Sequence, residues 1–353
     1  MSEQRQGQLS RIVIKGFRSI KACDLELKNI NVLIGANGAG KSNFISVFTL
    51  LQNILAKSLQ IYAHKKGATS LFHNGVKTTD NILMEFYFGA ADSYCFELGI
   101  TENNRVFLYE EPSPIDESRR ISEEWRGAYN LLTKNQWRLY HFQDTGSTSK
   151  IKWEHNVSNS MVFQWDGSNL AAFLYRLREH YPAEYGNILW AVQMIAPYFK
   201  DFILEPNEHN EELIFFRWQE KGCEEIFNPS QLSDGTLRFI CLATLLLQPK
   251  KLQPATIIID EPELGLHPFA ITIFAEMVQK AAVDKQIILA TQSVELLNNF
   301  DPEDVVVVDK NENGSDFKRI YDRLSPQQLA DWLDDYSLGE LWNKNIFGGR
   351  FAR

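Results

Sequence analysis

Val32-Leu-Ile-Gly35-Ala-Asn-Gly38-Ala-Gly40-Lys41-Ser42 satisfies G-x-x-x-x-G-K-[ST] in full. A short apolar strand is expected before it, from Asn31 to Ile34, and an amphipathic helix after it, from Asn43 to about Leu59. Strand, loop and helix in that order are what a phosphate-binding loop requires. Glycines let the backbone curl so that successive N–H groups point inward at phosphate oxygens. The positive end of the following helix adds to the field at the same place. Lys41 is then suited to reach the β- and γ-phosphates, and the Ser42 hydroxyl to hold Mg²⁺. A Gly-rich turn without a ligand is the bland alternative, and the full match in its strand–helix context argues against it. The expectation is a protein that binds a nucleoside triphosphate.

Far along the chain, Thr256-Ile-Ile-Ile-Asp260-Glu261 reads as an apolar strand ending in two carboxylates. Asp260 is suited to support Mg²⁺, directly or through water, and Glu261 to polarise the attacking water as general base. Standing alone, the pattern would be a buried strand ending in a solvated acidic turn. Paired with a phosphate loop it reads as chemistry. Gln231-Leu-Ser233-Asp-Gly235-Thr-Leu237 opens a helix running to Leu247. A helix start with a free hydroxyl and a small residue suits an anion.

Around these motifs, Arg11 to Lys15 and Asp24 to Leu27 alternate as a pair of strands. Ile82 to Phe88, Tyr94 to Ile100 and Val106 to Tyr109, separated by turn-rich segments, predict an antiparallel meander. Residues 112–127 and 143–150 are polar and turn-rich, hence loops. Ser168 is a plausible N-cap for a helix from Asn169 to His180. Pro182 separates that helix from a second one, about Ala183 to Phe199, and strands resume at Phe202 to Leu204 and Leu213 to Trp218. From Pro229 onward helix and strand alternate, with strands at Thr256–Asp260, Gln286–Ala290 and Val305–Val308. Non-alternating apolar runs separated by helices indicate a parallel sheet covered on both faces. The phosphate-loop strand must share that sheet. The expected division is an N-terminal lobe with phosphate loop and meander (1–110), an inserted loop and helical lobe (111–228) and a C-terminal lobe with the remaining motifs (229–353).

With its phosphate loop early, its helix-start and Asp-Glu motifs late and an insertion between, the chain resembles the RecF/SMC/OLD branch of the ABC-type ATPases. The opening Arg11-Ile-Val-Ile-Lys-Gly-Phe-Arg-Ser-Ile, then Gly35-Ala-Asn-Gly-Ala-Gly-Lys-Ser-Asn43, is typical of that branch. Asp260-Glu-Pro-Glu-Leu-Gly-Leu-His267-Pro, Ala290-Thr-Gln-Ser293 and the tail Asp335-Tyr-Ser-Leu-Gly-Glu-Leu-Trp342 with Gly348-Gly-Arg are similar to bacterial AAA-family ATPases related to OLD and RecF. The resemblance implies an ABC-type α/β head with a mixed or parallel core sheet. It adds Asn37, Gly38 and Asn43 to Gly35, Gly40, Lys41 and Ser42 as nucleotide contacts. Leu232 to Thr236 stands where the family has its signature motif, with Asp234 and Thr236 replacing a Gly and a Gln. There Ser233 and Gly235 would touch the γ-phosphate held by the opposite subunit of a homodimer. Gln143 is the implied Q-loop ligand of Mg²⁺, and Leu264 to His267 the D-loop crossing the dimer. Gln292 takes the place of the switch histidine; its amide can bond a γ-phosphate or water but cannot become charged.

The implied reaction is ATP hydrolysis with Glu261, Lys41 and Gln292 as catalytic residues, ATP and Mg²⁺ as cofactors. The implied output is DNA-linked: recombination, repair, or defence against phage beside a separately encoded effector such as a nuclease. Neither a long coiled coil nor a nuclease domain is expected. Net charge is −9 and like charges form no block, so composition alone does not predict DNA binding. Basic groups such as Arg11/Lys15/Arg18/Lys21 and Arg119/Arg120 read more readily as solvated faces. The longest apolar run, Phe239 to Leu247, is far short of the ~20 residues a membrane span needs. Cys23, Cys95, Cys223 and Cys241 lie far apart and read as free thiols of a cytoplasmic protein. The seven histidines show no ligand spacing. Two rivals are a non-catalytic ATP-gated scaffold and the nucleotide-binding subunit of a membrane transporter, against which Gln292 and the opening segment argue.

Overall fold

The computed structural model describes residues 8–89, 92–110 and 137–348. Strands β1 (Leu9–Phe17), β2 (Ile20–Glu26) and β3 (Ile30–Ile34) come first, followed by helices Lys41–Leu55 and Leu59–Lys66. Then come β4 (Ile82–Phe88), β5 (Asp92–Ile100), β6 (Val106–Glu110) and β7 (Trp137–Tyr140). Around helices Leu170–His180 and Pro182–Ile195 lie six strands: β8 (His155–Asn156), β9 (Phe199–Ile203), β10 (Pro206–Asn207), β11 (Asn210–Ile214), β12 (Arg217–Glu220) and β13 (Ile226–Phe227). Helix Asp234–Leu247 leads into β14 (Thr256–Asp260), helix Pro268–Ala282 into β15 (Gln286–Thr291), and β16 (Val305–Asn311) turns back as β17 (Gly314–Arg319).

The central sheet runs β17-β16-β3-β15-β14-β7, parallel except for β17. Its strands are apolar throughout because each face has its own cover. Alternate side chains of a strand point to opposite faces, and here they enter two different cores. Val32, Ile257, Ile259, Ile287, Leu289, Val305 and Val307 join the helices Leu170–His180, Pro182–Ile195, Asp234–Leu247 and Pro268–Ala282. Leu33, Ile258, Ile288, Val306 and Val308 join the loop helix and the second sheet, β2-β1-β4-β5-β6. All of these sheet residues are within 1% of full burial, each worth about 1.5–3 kcal/mol.

The antiparallel meander forms as expected. Ile82, Met84, Phe86 and Phe88 point inward, and Phe86 meets Phe48 of the loop helix with ring centroids 6.4 Å apart. Other boundaries differ for local reasons. The loop helix ends at Leu55, and Lys57, at φ +57°, turns the chain before the next helix. Ser168 is not the N-cap of Leu170–His180, because Asp166-Gly167-Ser168 closes its own turn, with Gly167 at φ +71° and the Ser168 N–H on Asp166 Oδ1 at 3.0 Å. The second helix stops at Ile195, and the apolar run beyond it starts β9. Leu213 to Trp218 divides between β11 and β12, which belong to different three-stranded sheets. The middle of the chain also supplies β7 to the sheet edge and shares the helix-side core. The expected loop 112–127, with Arg119 and Arg120, lies outside the described residues.

Candidate nucleotide and catalytic site

Four parallel strands deliver their following loops to one edge of the central sheet. Registers place Asp260 beside Ala290, Ala290 beside Leu33, and Ile259 beside Tyr140. The Gly35–Ser42 loop, the Asp260-Glu261 pair, Gln292 and Gln143 therefore emerge together, as ligand-binding loops do at the carboxyl ends of open α/β sheets. β7, which brings Gln143, had no signal in the sequence: four residues at a sheet edge are too short to show a period.

The loop is shaped by contacts that only glycine permits. Gly40 sits at φ +123°, and a Cβ there would lie 2.1 Å from Ser315 Oγ. A Cβ on Gly35 would lie 2.4 Å from the Val308 carbonyl oxygen. Gly38, at φ +77°, and Asn37 face solvent. The helix beginning at Lys41 has no acidic residue in its first turn, so its own sequence leaves the positive end of the helix uncompensated. Ser42 is exposed there. The Asn43 amide turns aside to donate to Ser19 Oγ at 2.6 Å, and Ser315 Oγ donates to the same oxygen at 2.7 Å, bracing the loop against β17. Lys41 is buried, and its Nζ donates to the carbonyls of Gly35 (2.6 Å) and Ala36 (3.1 Å). Burial pushes its pKa below the usual lysine range, while Glu261, Asp260 and Glu263 hold it up.

Glu261 lies at φ +48°, in the left-handed region, directly after the last residue of β14. Its N–H donates to the Ala290 carbonyl at 2.8 Å, so the strand pairing persists as the chain turns. The carboxylate is held by two amides: Gln292 Nε2 donates to Oε1 at 2.8 Å and Gln143 Nε2 to Oε2 at 3.3 Å. That geometry keeps the Gln143 Oε1, the atom able to ligate a cation, free of the carboxylate. Asp260 Oδ1 is shielded from water and accepts no hydrogen bond from the described residues. Burial first, then Glu261, raises the Asp260 pKa to about 6, with Lys41 opposing. An unsatisfied buried carboxylate oxygen at the sheet edge from which the Ser42 loop also emerges fits Mg²⁺, which takes one or two protein ligands and completes its shell with phosphate and water. Among the described residues no group of three or more His, Cys, Asp or Glu forms a metal site of its own.

Ser233 and Gly235 sit at the start of helix Asp234–Leu247, exposed and partly exposed. The Ser233 hydroxyl is not free. It caps the helix, accepting from the Thr236 N–H at 3.0 Å and pairing with Thr236 Oγ1 at 2.7 Å. Neither residue bonds the Gly35–Ser42 loop among the described residues. They connect to the other motifs through Arg238, whose guanidinium donates to the carbonyls of Phe142 (2.9 Å) and Gln143 (3.1 Å). Gly235 also presses on Gly265, where a Cβ would lie 2.2 Å from the carbonyl oxygen. Sequence reasoning missed Arg238, which lies just past the motif, and the salt link between Lys152 and Asp234 (3.6 Å), since a contact between distant parts of the chain leaves no spacing signal. His267 caps helix Pro268–Ala282, its Nδ1 accepting from the Phe269 N–H at 3.3 Å.

A profile of the AAA_21 family, described as "AAA domain, putative AbiEii toxin, Type IV TA system", matches residues 30–298. The DNA replication and repair proteins RecF of Vibrio campbellii and Vibrio cholerae are 50% identical to the chain over 44 residues, 12% of this chain and 12% of theirs. The chain thus matches only that small part of those relatives' length. An SMC head bound to the C-terminal winged-helix domain of ScpA superposes with a TM-score of 0.62 at 16% identity, over 92% of this chain and 99% of that one. An SMC head with an extended coiled coil, bound to the C-terminal domain of ScpA from Pyrococcus furiosus, gives 0.58 at 13% identity, over 93% and 98%. The shared fold is the SMC head. With the profile spanning the phosphate loop, the signature segment, Asp260-Glu261 and Gln292, the chain belongs to the AAA_21 family and is an ABC-type ATPase of the RecF/SMC branch.

Proposed function

We propose that the chain hydrolyses ATP as a slow switch, two copies closing head to tail around two nucleotides. The observation that carries this reading is the Glu261 carboxylate held between the Gln143 and Gln292 amides, at the same sheet edge as Lys41. Glu261 takes a proton from water as the water oxygen attacks the γ-phosphorus. The bond from that phosphorus to the β–γ bridging oxygen breaks, releasing ADP and phosphate. Lys41 leaves its carbonyls for the β- and γ-phosphates, and the loop N–H groups take up the remaining charge. Gln292 orients water or the γ-phosphate. Mg²⁺, held by Ser42, Asp260 and Gln143, would neutralise charge between the phosphates. Gly35, Asn37, Gly38, Gly40 and Asn43 complete the nucleotide contacts, the Asn43 amide by releasing Ser19.

Ser233 and Gly235 are solvent-accessible and make no hydrogen bond to their own loop among the described residues, which supports a second copy supplying the nucleotide they meet. Ligand that fits only the closed pair shifts the population toward it, switching the inserted and meander lobes between two arrangements while the central sheet stays whole. The cellular output is DNA-linked, in repair or recombination or in phage defence with a separately encoded effector such as a nuclease. The name of the RecF relatives supports the first, and the toxin–antitoxin wording of the family description the second. We place the protein in the cytoplasm with no membrane partner; no described helix is long and apolar enough to cross a membrane.

The test is the solution mass of Glu261→Gln by light scattering, with and without Mg²⁺·ATP. Removing the base traps ATP, so the mass should double only with ATP. An unchanged mass would sink the ATP-gated pair and leave a constitutive assembly or an obligatory partner.

A further inference from the structure

Glu263 lies two residues beyond the general base, and the motifs give it no task. The left-handed turn at Glu261 swings it back over the end of β15. There a single carboxylate oxygen, Oε1, accepts from the Thr291 hydroxyl at 2.6 Å and from the Gln292 backbone N–H at 3.2 Å. Thr291 is fully buried, and its hydroxyl oxygen accepts in turn from the Ser293 N–H at 2.9 Å. Three consecutive residues, the last of β15 and the first two of the turn after it, are therefore fixed, directly or through one hydroxyl, by one carboxylate. The Gln292 side chain leaves that same turn to reach Glu261 at 2.8 Å.

The choice of an acid here is costly to the fold. Oε2 is shielded from water with no hydrogen-bond partner among the described residues. Burial pushes the pKa of the group up, and the Thr291, backbone and Gln292 hydrogen bonds only partly hold it down. An uncharged residue would avoid that cost. What the carboxylate supplies in return is the placement of the switch turn. Glu263 also heads the segment Leu264–His267, whose Leu266 N–H bonds the Glu263 carbonyl at 2.9 Å. The turn after β15 and that exposed segment thus share one anchor.

We propose that Glu263 is a positioning residue for hydrolysis: through Thr291 and the Gln292 backbone it aims the Gln292 amide at Glu261. The inference rests on the ATPase reading above. A misaimed amide leaves nucleotide binding intact and slows the chemical step, since small misplacements can cost about a hundredfold in rate.

Steady-state ATP hydrolysis by the full chain tests it. Glu263→Ala should lower kcat about 10- to 100-fold with KM for ATP changed less than about threefold, the pattern of a contact needed only in the transition state. Glu263→Gln keeps an acceptor oxygen for both donors and should restore kcat to within about threefold of the unsubstituted chain. On a Gln292→Ala background, Glu263→Ala should slow hydrolysis no further, because residues acting as a unit are not additive. Should Glu263→Ala fail to fold, Thr291→Val removes one donor at nearly constant volume and should show the same kcat loss at unchanged KM. An active chain in which Glu263→Ala, or Thr291→Val in its place, keeps full kcat overturns this inference alone. So does an alanine penalty that persists undiminished without Gln292. A chain that hydrolyses no ATP overturns the ATPase reading, and this inference with it.

Discussion

Asp260 is the residue at which stability and chemistry pull in opposite directions. Its carboxyl holds a proton up to about pH 6 in the folded chain, against an ordinary value of 3.8. A raised acid pKa means that the folded state binds the proton more tightly, so stability falls as pH rises through that window. The difference corresponds to roughly 1–3 kcal/mol at neutral pH, since each pKa unit is worth about 1.4 kcal/mol and part is screened. Asp260→Asn should therefore raise the melting temperature of the nucleotide-free chain at pH 8, with little gain at pH 4, while abolishing Mg²⁺-dependent hydrolysis. Thermal unfolding of both chains at the two pH values checks the sign; a variant less stable at pH 8 would show that Asp260 has a structural partner. The residues legible in the sequence were those at fixed motif spacing: Gly35, Gly40, Lys41 and Ser42 stand where a G-x-x-x-x-G-K-[ST] pattern puts them, and they form one loop between β3 and its helix. Glu263 was illegible, because its destination depends on a backbone turn at Glu261 that no pattern encodes.

Among the elements, helix Asp234–Leu247 and the Leu264–His267 segment are packed as one part. They touch backbone to backbone at Gly235 and Gly265, where a Cβ on Gly235 would lie 2.2 Å from a carbonyl oxygen that cannot yield cheaply. Gly235→Ala should cost about 1–3 kcal/mol, the usual cost of overpacking, and lower the melting temperature by several degrees. An unchanged melting temperature would mean that the two segments separate freely. Arg238 ties the same helix to the carbonyls of Phe142 and Gln143. The long, apolar elements were readable in advance: Thr256–Asp260 and Gln286–Thr291 are buried on both faces and look it. β7 was not, nor was the break between β11 and β12, where sheet membership changes without a Gly or Pro to announce it. Pattern reports burial, and it does not report which neighbour a short strand will find.

For the whole molecule, the two cores on opposite faces of one sheet make the chain interdependent from end to end. Gln286 illustrates it: its side chain bonds both the N–H and the carbonyl of Leu9, 277 residues away, as well as the Lys28 carbonyl. The sheet and its phosphate-loop strand could be inferred to belong together because parallel strands need partners, although the order of those partners could not. β3 turns out to lie between β15 and β16, with Val32 beside both Leu289 and Val305. Translation delivers these partners last. At about 5–20 residues per second, the ribosome spends tens of seconds with the phosphate loop already made and its flanking strands still unmade. During that interval the loop has no sheet to hold it, and such distant pairings are slow to form even afterwards. A fragment ending before Gln286 should accordingly bind no fluorescent ATP analogue, whereas the full chain should; binding by the fragment would show that the loop folds locally. The nascent chain would then be silent toward the cell's ATP until β15 and β16 have been made, and a product truncated before them would not compete for nucleotide.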